Sequence, residues 1–155
     1  MTSAGGVAST PFGERLAERV AERRSNLVLG LDPDPARLWP SVAVDGRGGG
    51  DAAEAAARAA AAQCGALIDA AGGACVAAKL QLACFERLGA PGWAALERTA
   101  GVARDAGLLV IADGKRGDVP VSAAAYAQAL LTGSDTPWGH VVVWPGACPS
   151  TTCPT

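Results

Sequence analysis

In "LLVIADGKRGDVPVS", residues 108–122, an apolar segment is followed by two aspartates, a lysine and an arginine. Asp-Gly between apolar residues is a strong hairpin signal, because this pair readily takes the positive φ angles of a type I′ turn. The competing interpretation is a buried strand that delivers charged side chains to a site. The rest of the chain decides between the two.

Apolar segments alternate with helical ones along the chain. Three apolar segments predict buried strands. The segment 27–31 predicts a strand that ends at Asp32, the segment 74–85 predicts one that ends near Lys79, and the third strand is predicted at 108–112. Four segments predict helices: 11–24, 52–73 with Asp51 as N-cap, 91–107 and 122–133. Apolar strands that alternate with helices indicate a parallel α/β sheet covered on both faces. The hairpin is disfavoured, because Pro120 lacks a ladder donor and its segment leads straight into a helix.

Composition bounds the class of protein. The 155 residues suit one domain, half of them are apolar, and 13 basic against 15 acidic residues give a net charge of −2. This balance offers no electrostatic footprint for nucleic acid. No secretory signal and no apolar segment of about 18 residues is present, so neither export nor a membrane span is predicted. We therefore expect a cytoplasmic protein.

The five cysteines predict reduced thiols. Their number is odd, they form no CxxC pair, and no secretory signal accompanies them. Cys148 and Cys153 lie near His140, the single histidine, but their spacing matches no zinc pattern. No metal site is predicted.

Each predicted strand brings a charged residue to its carboxyl end: Asp32 after the first, Lys79 at the second, and Asp113 with Lys115 at the third. In parallel α/β sheets, functional residues collect at this edge. The alternative for each residue alone is a turn aspartate or a surface lysine. Three such coincidences favour an active site.

The third strand combines acid and base in a way that suits decarboxylation. Asp113 and Lys115 are two residues apart and point to the same side of an extended chain, while Asp118 lies in the following loop. Carboxylates near an ammonium keep it protonated and ready to act as an acid. A carboxylate that faces an anionic substrate group also creates a strain that the loss of carbon dioxide relieves.

Three motifs resemble those of one enzyme family. "DGKRGD" (113–118) fits the D-x-K-x-x-D signature of orotidine 5′-phosphate decarboxylase. "LGLDPDP" (29–35) and "AAKLQLACFERLGAPG" (77–92) resemble the first-strand and second-strand motifs of that family. The resemblance covers roughly residues 11–139 and is closest to the longer bacterial subgroup, type 2.

The resemblance implies a fold and an activity. Members of this family are (β/α)8 barrels that act as homodimers and convert orotidine 5′-monophosphate to UMP, in pyrimidine biosynthesis, without metal or cofactor. It also implies a role for six residues of this chain. Lys115 would protonate C6 of the substrate, and Asp113 would lie beside the departing carboxylate. Lys79 would bind the ribose and Asp113, Asp32 would bind a ribose hydroxyl, and Asp118 and Ser122 would reach the partner's site.

The chain also departs from the family pattern. Leu80 replaces a proline, and Pro120 and Val121 replace the usual Gly-Ser after the signature. A full barrel needs about 200 residues or more. We therefore predict that residues 1–139 are the N-terminal half of a decarboxylase barrel, with about three to four βα units. Residues 140–155, in which 141–143 begin a fourth strand, would be an atypical tail left by a frameshift or truncation, and the phosphate-binding residues would lie in the missing half.

Two other interpretations stay open. The first is a non-catalytic fragment that turns over no substrate. The second is another phosphosugar decarboxylase or synthase of the same superfamily, which resembles this chain in D-x-K-x-x-D but uses magnesium and an acidic residue near the second strand. Lys79 at that place argues against the second interpretation.

Overall fold

The strands in the described part of the chain form one parallel sheet. The computed structural model describes residues 10–40, 51–114 and 142–143. Its helices and strands are α1 (Phe12–Arg23), β1 (Leu27–Leu31), α2 (Ala52–Ala71), β2 (Cys75–Gln81), α3 (Leu82–Glu86), α4 (Gly89–Asp105), β3 (Leu109–Asp113) and β4 (Val142–Val143). The strand order is β1-β2-β3-β4, and every neighbouring pair is parallel. The predicted parallel α/β sheet is confirmed, and β3 has a parallel neighbour on each side, β2 and β4.

The observed element boundaries differ from the predicted ones at β2 and β3. The prediction that the second strand ends near Lys79 was wrong, because β2 continues to Gln81, which pairs with Asp113 of β3. The third strand begins and ends one residue later than predicted, and the short helix α3 was not predicted. The fourth strand predicted at 141–143 is present as β4. The helix predicted at 122–133 lies outside the described residues.

The long helix α2 begins and ends at the predicted signals. The Asp51 side chain accepts a hydrogen bond from the Glu54 backbone N–H at 2.8 Å, as expected of an N-cap. The helix ends at Ala71, and Gly72 and Gly73 then enter a single 3-10 turn. No helix in the described part of the chain is both long enough and apolar enough to cross a lipid bilayer.

The main core lies between the sheet and the pair α2 and α4. The alanine-rich sequence of α2 buries Ala57, Cys64 and Ile68 against this core. Small side chains let the two helices approach each other and the sheet closely, which gives dense packing without bulky residues. The largest fully buried side chains are Phe85, Leu31, Leu80, Leu82, Leu96, Val76 and Cys64.

Helix α1 covers the lower, N-terminal part of the other face of the sheet. Its apolar stripe of Phe12, Leu16 and Val20 packs against Val76, Ala77 and Leu109. Ala77 and Leu109 precede Lys79 and Asp113 on their strands and share a side of the sheet with them, because side chains alternate along a strand. The charged residues therefore lie above α1, at the C-terminal part of the same face.

Arg23 ties the last turn of α1 to the bottom of the fold. Its guanidinium donates hydrogen bonds to the carbonyl oxygens of Gly72, Cys75 and Ala106. These carbonyls lie just after α2, at the start of β2 and just after α4. One side chain thus satisfies backbone acceptors from three segments, and a planar guanidinium with five N–H donors suits this task.

Gly92 marks the contact between α3 and α4. A Cβ atom at this position would overlap the carbonyl oxygen of Phe85 and would lie 2.8 Å from Cβ of Leu88. A Cβ atom at Gly65, in the middle of α2, would meet nothing within 4 Å apart from the adjacent backbone of its own helix. A side chain is therefore sterically excluded at Gly92, whereas there is space for one at Gly65.

We predict that Gly92→Ala destabilises the fold by about 2 kcal/mol or more, because the methyl group forces α3 and α4 apart. Gly65→Ala should stabilise it by about 0.5 to 1 kcal/mol, because alanine loses less backbone entropy in a helix. Urea denaturation followed by circular dichroism measures both variants. Equal effects of the two substitutions would contradict the close contact at Gly92.

Candidate active site at the carboxyl edge of the sheet

The carboxyl ends of β1, β2 and β3 bring Asp32, Lys79 and Asp113 together. The Lys79 ammonium donates a hydrogen bond to Asp113 Oδ2 at 3.2 Å. Asp32 Oδ1 lies 3.9 Å from Lys79 Nζ, which is within ion-pair range but too long for a hydrogen bond. Three residues that are 34 to 81 positions apart in the sequence thus form one charged cluster, as the strand pattern predicts.

Strand register explains why these side chains meet. Lys79 pairs with Gly30 of β1 and with Ile111 of β3, and Gln81 pairs with Asp113. Paired residues in a parallel sheet point to the same side, and so do residues two apart on one strand. Lys79, Gln81 and Asp113 therefore share one face of the sheet.

Asp113 is a nearly buried carboxylate with donors arranged around it. Its side chain is 9% exposed, and its Oδ2 accepts hydrogen bonds from both Lys79 Nζ and Gln81 Nε2, the latter at 3.1 Å. A carboxylate loses much hydration free energy when it is buried, and only charged or polar partners offset that loss. Lys79 and Gln81 therefore hold Asp113 in one orientation.

Lys79 connects the buried and the exposed parts of the cluster. Its side chain is 36% exposed, and that of Asp32 is 52% exposed. Because both are in contact with solvent, their ion pair contributes little to stability. The same exposure leaves the ammonium and the Asp32 carboxylate accessible to a ligand. This part of the cluster is suited to binding a polar, hydroxyl-bearing group.

Gly30 leaves the space that Asp32 occupies. A Cβ atom at Gly30 would lie 3.3 Å from Asp32 Oδ2, which is tighter than ordinary contacts. Gly30 also pairs with Lys79 across β1 and β2. The absence of a side chain here lets Asp32 approach the lysine.

Two residues that shape the site were missed at the level of sequence. Gln81 lies two residues after Lys79, so the alternation of side chains along β2 is a signal that could have identified it. Arg87, just after α3, donates hydrogen bonds to the Pro33 carbonyl oxygen and to Asp34 Oδ1, both at 3.1 Å. Pro33 and Asp34 precede Arg87 by 54 and 53 positions, so no local sequence pattern predicts these contacts.

Three predicted site residues, Lys115, Asp118 and Ser122, lie outside the described residues. The described part of this segment ends at Gly114, directly after Asp113. Their predicted roles stay predictions. His140, Cys148 and Cys153 lie outside the described residues as well.

Cys64 and Cys84 lie behind the site as protonated thiols. Burial raises the pKa of Cys64 to about 12, and the proximity of Cys84 and of the Asp32 carboxylate adds to this. Burial is also the main cause that raises the pKa of Cys84, followed by the charge of Asp32. A thiol reacts as a nucleophile through its thiolate form, so neither cysteine is suited to that role at neutral pH. Cys64, Cys75 and Cys84 are all free.

A separate cleft of about 850 Å³ lies between the N-terminal halves of α2 and α4. Alanines form much of its wall, and Glu54, Arg58 and Arg98 are among its charged residues. Asp32, Lys79 and Asp113, the predicted site residues in the described part of the chain, do not line it. The cleft therefore does not belong to the charged cluster.

A parallel α/β sheet with an ionisable cluster at its carboxyl edge defines the general class: a barrel-type α/β enzyme fold with its functional residues in the expected place. No protein-family model matches the chain. Curated relatives do match. Orotidine 5′-phosphate decarboxylase of Deinococcus radiodurans is 42% identical over 129 residues, which cover 79% of this chain and 39% of the relative. The same enzyme of Roseiflexus sp. is 36% identical over 120 residues, which cover 77% and 39%.

Solved structures agree with these relatives. The OMP decarboxylase of Leishmania donovani superposes with a TM-score of 0.61 at 32% identity, covering 86% of this chain and 44% of that one. The chain is thus a homologue of the orotidine 5′-phosphate decarboxylases, and the resemblance to that family is confirmed. It has the fold of a partial (β/α)8 barrel. The chain spans about two fifths of the length of the curated relatives that it matches.

We predict that Asp113→Asn lowers the free energy of unfolding by about 2 kcal/mol, because Lys79 and the Gln81 amide lose the anion between them in a nearly buried place. Asp32→Asn should change it by less than about 0.5 kcal/mol, because that pair is exposed and long. Urea denaturation of the two variants measures this difference. A cost at Asp32 as large as that at Asp113 would contradict the assigned environments.

Proposed function

We propose that this chain carries part of an orotidine 5′-monophosphate decarboxylase active site, and that Asp32, Lys79 and Asp113 bind and orient the substrate in it. The observation that carries the proposal is the Lys79 ammonium between two carboxylates at the carboxyl edge of the sheet. Homology to decarboxylases over most of this chain supports it.

Different residues of the site suit different parts of the substrate, the ribose and the carboxylate. The exposed pair of Asp32 and Lys79 offers an acceptor and a donor to ribose hydroxyls. The nearly buried Asp113 would face the carboxylate of the substrate, and this juxtaposition of like charges would be relieved when carbon dioxide leaves. Lys79 and Gln81 resist displacement of Asp113 by that repulsion, since both bond to its Oδ2.

The proposed reaction consists of one bond cleavage and one proton transfer. The bond between C6 and the carboxylate carbon breaks, its electron pair stays on C6, and carbon dioxide leaves. The Lys115 ammonium then donates a proton to C6, which yields UMP, and the neutral amine regains a proton from solvent. A positioned ammonium is an effective general acid for this step. The step needs neither an oxidant nor a reductant.

The wider context follows from the same proposal. The protein would act in pyrimidine biosynthesis in the cytoplasm. As a homodimer, it would receive Asp118 and Ser122 from the partner subunit. Residues 1–139 would supply the N-terminal half of the barrel, while residues 140–155 would lie outside the family pattern.

We predict that the 155-residue chain decarboxylates orotidine 5′-monophosphate and that Lys115→Ala lowers kcat by about 10³-fold or more, because the carbanion loses its proton donor. Arg116→Ala is the matched control, since the adjacent cation has no assigned role, and it should stay within threefold of wild type. The loss of substrate absorbance measures the rate.

Equal rates for wild type and Lys115→Ala would contradict the proposal. The chain would then be a non-catalytic fragment, whatever its ancestry. A Lys79→Met variant serves as a second check, because it should weaken binding of UMP as well as slow turnover.

A further inference from the structure

Arg87 connects the loop after β1 to the segment after β2. Its Nη2 donates hydrogen bonds to the Pro33 carbonyl oxygen and to Asp34 Oδ1, both at 3.1 Å, and its Nε donates to the Cys84 carbonyl oxygen at 3.3 Å. The guanidinium thereby links its own short helix to a loop more than 50 residues earlier in the sequence. A planar guanidinium with several fixed donors holds such a geometry better than an ammonium does.

The loop that Arg87 holds is already shaped by Asp34. The Asp34 side chain accepts a hydrogen bond from Ala36 N–H at 3.1 Å, and its carbonyl oxygen accepts one from Arg37 N–H at 2.8 Å. The bond from Ala36 is the main cause that lowers the pKa of Asp34, and Arg87 adds to the effect. The carboxylate is therefore charged at neutral pH and attracts the guanidinium.

Asp32 depends on this loop for its position. It directly precedes Pro33, its side chain is 52% exposed, and its contact with Lys79 is 3.9 Å long. So exposed and long an ion pair is too weak to fix the side chain. The backbone direction of the loop after β1 must then fix the position of Asp32. Arg87 binds the first backbone carbonyl after Asp32, which is that of Pro33.

We propose that Arg87 is a positioning residue that fixes the loop after β1 and thereby holds Asp32 beside Lys79 for a ribose hydroxyl. The ribose part of this inference rests on the proposed function, whereas the fixed loop does not. Arg87 would act on the ligand through Asp32, so its effect on binding should vanish when the Asp32 carboxylate is removed.

The test compares Arg87→Met, which keeps the length of the side chain, with the conservative Arg87→Lys. Arg104→Met is the matched control, because Arg104 lies in the last turn of α4, at the opposite end of that helix from Arg87. Hydrogen exchange at the amides of Ala36 and Arg37 reports on the loop without any ligand. Arg87→Met should speed this exchange about tenfold, Arg87→Lys should speed it less, and Arg104→Met should leave it unchanged.

Binding of UMP, measured by calorimetry, tests the route through Asp32. Arg87→Met should weaken UMP binding about fivefold to tenfold in the wild-type background and less than twofold in Asp32→Ala, as expected of two residues that act in series. Arg87→Lys should recover part of the loss. The same loss in both backgrounds would overturn the inference, because Arg87 would then act independently of Asp32.

The two measurements separate this inference from the proposed function. If wild-type chain binds no UMP, the proposed function fails, and the exchange comparison alone decides whether Arg87 holds the loop. Unchanged exchange in Arg87→Met overturns the inference even if UMP binds normally.

Discussion

The hydrogen-bonded ion pair between Lys79 and Asp113 is the interaction on which the site depends. It joins β2 to β3 at their carboxyl ends and places a nearly buried carboxylate under the control of a partly exposed ammonium. Without the lysine, the Asp113 anion would lose the charged partner that offsets its burial. With it, Asp113 keeps a charged partner, and the ammonium lies between two carboxylates.

Packing around the sheet keeps this arrangement at the edge. Helices α2 and α4 cover one face with a core rich in alanine, and α1 covers the lower part of the other. Arg23 fastens α1 to carbonyl oxygens at the bottom of the fold. The upper part of the second face, above α1, is where the charged side chains lie. Residues for binding and chemistry can thus lie at one edge of the sheet while residues at the opposite edge stabilise the fold, as in barrel enzymes generally.

Much of this arrangement could be predicted from local pattern. Continuous apolar segments followed by charged residues predict parallel strands, and parallel strands bring Asp32, Lys79 and Asp113 to one edge. The end of β2 was misjudged, because the polar Lys79 resembles a strand end when the pairing with β3 is unknown. Arg87 and Gly92 escaped prediction for another reason. Their contacts depend on how segments pack in three dimensions, and no periodicity reports on that.

If the proposed function holds, the carboxyl edge of the sheet binds a nucleotide. A titration of the ¹⁵N-labelled chain with UMP, followed by amide chemical shifts, tests it most directly and requires no turnover. We expect the largest shifts at the carboxyl ends of the strands, on Asp32, Lys79, Gln81, Asp113 and Gly114. Shifts confined to the cleft between α2 and α4, or no shifts at saturating UMP, would contradict it.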